Sequence, residues 1–134
     1  MPNTKATGVA YLDPEFSTMY ATEEIGYAAA AQGTVTQLTS KSTGVTLNKS
    51  MGRITMNNAA LAGNTAVTFS LTNNSISAND AIIVNVSGGG TTAAYTTYIS
   101  SMTTGSADIT LRNLTAGSLS EAVIINYSII HGVV

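Results

Sequence analysis

From Thr34 onward the chain alternates apolar and polar side chains with a period of two, the spacing that sends successive side chains to opposite faces of a sheet. The clearest stretch interleaves Val67, Phe69 and Leu71 with Thr68, Ser70 and Thr72. One face is therefore apolar and the other carries hydroxyls, as in a half-buried strand. The same pattern predicts strands over 35–40, 45–47, 54–57, 67–72, 81–86, 93–102, 108–112 and 121–131, about eight in all. Between them lie segments rich in Gly, Asn, Ser and Thr, such as 41–44, 62–65, 73–80, 88–90, 103–105 and 116–120. Such residues tolerate positive φ or bond their own backbone, so these segments are turns. Short strands punctuated this regularly predict an all-β fold, an antiparallel β-sandwich of about eight strands resembling a jelly roll.

Residues 1–33 differ from the rest. They hold both prolines (Pro2, Pro14), four of the seven acidic residues (Asp13, Glu15, Glu23, Glu24) and the aromatics Tyr11, Phe16, Tyr20 and Tyr27. Asp13 followed by Pro14 suits the start of a short helix. The expected organisation is an N-terminal arm over 1–33 and a β-sandwich over 34–134. Tyr11, Phe16, Tyr20 and Tyr27 either anchor that arm on a partner, as its candidate attachment residues, or lie across the chain's own core, since aromatics supply large buried area in both cases.

Two strands carry apolar side chains on both faces. Ile83 faces away from Ile82, Val84 and Val86, while Ile124 and Ile130 face away from Val123, Ile125, Tyr127 and Ile129. Either the arm covers that second face or another subunit does, and the low charge of the chain favours a subunit interface. Charged residues are only 9% of the sequence, with a net charge of -2. A surface so weakly charged repels its own copies little and resists aggregation only when committed to specific contacts. It also lacks the clustered Lys and Arg that phosphate backbones require, so no nucleic-acid partner is expected. The start of the chain has no signal-peptide pattern and no apolar run approaches a membrane span, so a soluble, unprocessed protein is expected.

Little here suits catalysis. His131 is the sole histidine and there is no cysteine, which excludes thiolate chemistry and a closed zinc site. No Gly-x-Ser-x-Gly elbow accompanies the serines. Asp80, Asp108 and Glu121 form no evident acid and base pair, and Asp108 shares a strand face with Thr110 and Arg112, where an ion pair or a polar ladder is the expected arrangement. The Gly88 to Gly90 run has no Gly-Lys-Ser/Thr after it and reads as a hairpin tip. Five Asn-x-Ser/Thr sequons, at Asn48, Asn73, Asn85, Asn113 and Asn126, follow from composition. The expectation is a non-enzyme with no cofactor, metal or catalytic residue.

The series Gly33 to Gln37 (GTVTQ), Lys41 to Asn48 (KSTGVTLN), Gly52 to Asn57 (GRITMN), Phe69 to Asn73 (FSLTN) and Arg112 to Ala122 (RNLTAGSLSEA), followed by Ile125, Asn126 and Tyr127, resembles a module of tailed-phage structural proteins. In that family it occurs as free-standing head decoration (cement) proteins and as a terminal part of tail fibres. The resemblance covers about 100 residues and implies a homotrimer in the virion, on the capsid surface, with the major capsid protein as partner and no catalytic residues. A chain of this length cannot supply a fibre shaft, so decoration ranks first. The alternative is a fibre or receptor-binding module that recognises a host surface glycan.

Overall fold

The computed structural model describes residues 16–132. Eight strands follow a single 3-10 turn at Ala29–Ala31: β1 Gln32–Thr36, β2 Val45–Thr46, β3 Met51–Thr55, β4 Ala66–Thr72, β5 Ala81–Gly88, β6 Tyr95–Thr103, β7 Ser106–Asn113 and β8 Ile124–Ile130. They form two four-stranded sheets, β1-β3-β8-β5 and β2-β4-β7-β6, a β-sandwich. Tyr11 and the helix start expected at Asp13 lie outside the described residues.

The inward positions set by alternation face the core, with Val67, Ile82, Val84 and Val86 half-buried against it. Phe69 and Leu71 from β4, Ile109 and Leu111 from β7, Ile54 from β3 and Ile125, Tyr127 and Ile129 from β8 are all buried between the sheets. Each such side chain contributes roughly 1.5–3 kcal/mol relative to exposure. Met56 and Val123 extend this core beyond the strand ends.

Two pairings depart from an all-antiparallel jelly roll. The edge pairs β1–β3 and β2–β4 are parallel, whereas the other four ladders are antiparallel. The reason is the path of the chain: β1 to β4 alternate between the sheets, so strands two apart in sequence become neighbours with the same sense. Antiparallel order returns with the β6–β7 hairpin, whose turn uses Gly105 at φ 82°, a conformation that glycine adopts without strain.

The predicted strand ends move where polar side chains turn inward. Gln37 is buried, and its amide donates to the carbonyls of Lys41 and Thr43 while accepting the N–H of Asn57. This clamp ends β1 at Thr36, short of the expected residue 40. Next to this clamp, where Lys41 donates to the carbonyls of both Asn57 and Glu121, the Glu121 side chain accepts hydrogen bonds from Thr91 and Tyr95, and β8 starts only at Ile124.

Asparagines close the long loops in the same way. Asn73 and Asn113 are fully buried, and each accepts the backbone N–H two residues on, from Ser75 and Thr115 respectively. Their amide groups donate inward: Asn73 to the Lys49 carbonyl and Tyr127 hydroxyl, Asn113 to the carbonyls of Leu61 and Gly117. Two of the five sequons are thus self-bonded turns that fasten strand ends.

Candidate interaction surface

The outward faces of the two sheets are built differently. On the β2-β4-β7-β6 sheet the polar side chains satisfy one another: Thr68 bonds Thr110 at 2.7 Å, Thr110 bonds Ser100 at 2.9 Å, and Ser70 donates to Asp108 at 2.6 Å. Asp108 thus takes Ser70 as its partner in a polar ladder, and not the Arg112 that the strand alternation pointed to. Arg112 forms no ion pair with it among the described residues. A face whose hydroxyls are already bonded suits water.

The β1-β3-β8-β5 sheet presents apolar side chains instead. Register places Gln32, Met51, Ser128 and Ile83 in one row across it, with Ile130 opposite Ala81 one row further. Ile83 and Ile130 are 54% and 56% exposed, and Ile124 on the same face is partly covered. The three isoleucines singled out by counting therefore share one outward face. With Ile25, Gly26, Tyr27, Met51 and His131, Ile83 and Ile130 line a groove of about 600 Å³.

The arm enters at this groove. The Tyr27 hydroxyl donates to the Ile129 carbonyl, and the Gln32 amide donates to the Tyr27 carbonyl. Tyr27 thus fastens the arm to its own sandwich. Phe16 and Tyr20, further out, are 63% and 90% exposed and pack on nothing comparable.

A polar row crosses the middle of the same face. Thr34, Arg53, Asn126 and Asn85 are paired successively across the four strands. Gln32, Thr34, Met51, Arg53 and Asn126 surround a recess of about 370 Å³. The Asn126 Oδ1 is buried there with no hydrogen-bond partner, a rare condition for a buried acceptor in a folded protein. Sequence reasoning missed Asn126 and Arg53. The usable signal was their period-two place beside Ile124 and Ile130, and beside Met51.

The ionisable groups elsewhere form structural ties. His131 Nδ1 lies 3.1 Å from Asp80 Oδ2, and Asp80 also accepts from the Ser77 N–H and hydroxyl and from the Gly132 N–H. The bond from the Ser77 backbone N–H leads in holding the Asp80 carboxyl down at about 2, opposed by its removal from water. Here the carboxylate stands between serine and histidine, so the histidine does not reach the hydroxyl as a hydrolytic triad requires. Burial lowers the Lys41 pKa, with Glu121 opposing, and the ammonium donates to the carbonyls of Asn57 and Glu121. Burial, then the bond to Glu121, pushes the Tyr95 hydroxyl up to about 12.

No family model matches the chain, and neither the curated proteins nor the solved structures give a match.

Proposed function

We propose that this chain is a structural virion protein of a tailed phage, a capsid decoration (cement) protein that stabilises the head as a homotrimer. The observation that carries this reading is the pairing of an apolar outward sheet face, with Ile83 and Ile130 half exposed, to an arm whose Phe16 and Tyr20 stand clear of the body. The first provides a seam between copies, and the second an attachment to the major capsid protein. A trimer engages the lattice through several arms at once, each binding at the high effective concentration set by the others, so shallow contacts hold firmly. Resistance to the pressure of packaged DNA is the mechanical result. The hydroxyls of the other sheet bond one another, which favours decoration over glycan recognition on that face.

Light scattering at micromolar concentration is expected to give three times 13.7 kDa. Ile130→Lys should dissociate this species, because the seam would bury an unpaired charge. Purified protein should bind emptied, expanded phage heads and not host cells. A monomer removes the seam, and binding to cells without binding to heads removes the decoration role.

A further inference from the structure

Arg53 carries the only charge among the outward-facing strand residues of the β1-β3-β8-β5 sheet, and it has no ion-pair or hydrogen-bond partner among the described residues. Beside it in the recess is the buried, unpartnered Oδ1 of Asn126. This pair asks for an occupant that offers a hydrogen-bond donor and a carboxylate a few ångströms apart. An extended acidic peptide has both, since its backbone N–H groups donate and its side chain is the anion.

The described chain contains few carboxylates free to serve. Asp80 is taken by Ser77, Gly132 and His131, Asp108 by Ser70, and Glu121 by Thr91 and Tyr95. Glu23 and Glu24 remain. Both are exposed, neither has a partner among the described residues, and no Lys or Arg occurs between residues 16 and 40 to neutralise them. Their own copy does not bring them to the recess, because the arm is pinned at Tyr27 and passes Ile25 and Gly26 along the apolar row. A neighbouring copy meets no such restriction. A contact in which one surface of a copy meets a different surface of the next is heterologous, the kind that closes into a ring such as a trimer.

We propose that in the assembled protein the Glu23 and Glu24 stretch of one copy lies across the outward face of the next, a backbone N–H meeting Asn126 Oδ1 and a carboxylate pairing with Arg53. The exchange rests on the oligomer reading above and adds to it the identity of the segment that covers the face. Phe16 and Tyr20, further along the same arm, stay available for the capsid.

Charge reversal on the full-length chain tests the exchange. Arg53→Glu alone, and Glu23→Lys with Glu24→Lys alone, should each raise the dissociation constant of the oligomer about a hundredfold in light scattering, since like charges then face each other across the contact. Far-UV circular dichroism should be unchanged, because all three positions are exposed. Mixing the two variants in equal amounts should restore the assembled mass in part, because in a ring of three two arms then meet a face of opposite charge while the third meets a face of its own variant. Recovery on mixing supports exchange between copies. Weakened variants that stay apart on mixing overturn it in favour of a contact within one chain. If Arg53→Glu assembles like the parent chain, the arm contact is refuted and the seam through Ile83 and Ile130 stands. A parent chain that is itself monomeric removes the oligomer reading and this one with it.

Discussion

Replacing Asn113 measures how far buried side-chain amides hold the sandwich together. The residue is fully buried and makes four side-chain hydrogen bonds: to the Leu61 carbonyl at 3.0 Å, to the Gly117 carbonyl at 2.9 Å, from the Thr115 N–H at 2.9 Å and from the Thr115 hydroxyl at 2.8 Å. At a net value near 1 kcal/mol each, the sum is about 4 kcal/mol. Partial rescue lowers that figure. The Leu61 carbonyl keeps the N–H of Leu119, and the Gly117 carbonyl keeps the Thr115 hydroxyl, so only the Thr115 N–H loses its acceptor. Asn113→Ala should therefore cost about 2–3 kcal/mol in urea unfolding followed by circular dichroism, or about 10 °C in melting temperature for a domain of this size. Asn113→Asp separates hydrogen bonding from volume. It has nearly the same shape, yet turns an acceptor toward two carbonyl oxygens, so at pH 7 it should cost at least as much as alanine. A loss below about 0.5 kcal/mol for alanine, or a tolerated aspartate, would refute the account of this turn.

Two further perturbations test other ties. Asp80 has a folded pKa of about 2 against an ordinary 3.8, so its contribution is complete above pH 3.8 and is lost as pH falls toward 2; melting temperatures recorded from pH 5 to 2 should fall less steeply in Asp80→Asn, and parallel curves would show that the Ser77 tie adds nothing. Gly89 follows β5 at φ 72°, and a Cβ there would stand 2.2 Å from the Ala122 carbonyl oxygen; Gly89→Ala should destabilise by at least about 2 kcal/mol through backbone strain and clash, and an unchanged urea midpoint would contradict it.

The fold was legible wherever side-chain alternation decided it. Phe69, Leu71, Ile125, Tyr127 and Ile129 fall inward as their spacing requires, and the opposite placement of Ile83, Ile124 and Ile130 follows from the same count. Strand ends were less legible, because Gln37 and Glu121 look like surface residues until the loops that enclose them are known. The parallel edge pairs were not legible at all. Pairing between β1 and β3 depends on where β2 goes, and no local pattern carries that. The interaction surface was half legible for a related reason. Isoleucines on a second face are conspicuous, whereas Arg53 and Asn126 on that face read as ordinary solvent contacts until register sets them side by side. Tyr27 grouped with the other arm aromatics in sequence, yet its hydroxyl reaches a carbonyl of β8 in its own sandwich.

The placement of β8 also sets a timetable. It lies between β3 and β5 at the centre of its sheet, although it follows the other seven strands in the chain. A nascent polypeptide that has already released β1, β3 and β5 has three strands of that sheet and nothing to join them across the gap. Translation must deliver Ile124–Ile130 before the sheet closes, and such distant pairing makes closure slow relative to local turns. The isoleucine-bearing face and the row through Arg53 and Asn126 come into register in that same event. Until then β3 and β5 keep unpaired edges that the strands of another half-made copy could join, so in a protein this weakly charged the wait for β8 is the interval of greatest exposure to sticking on the ribosome.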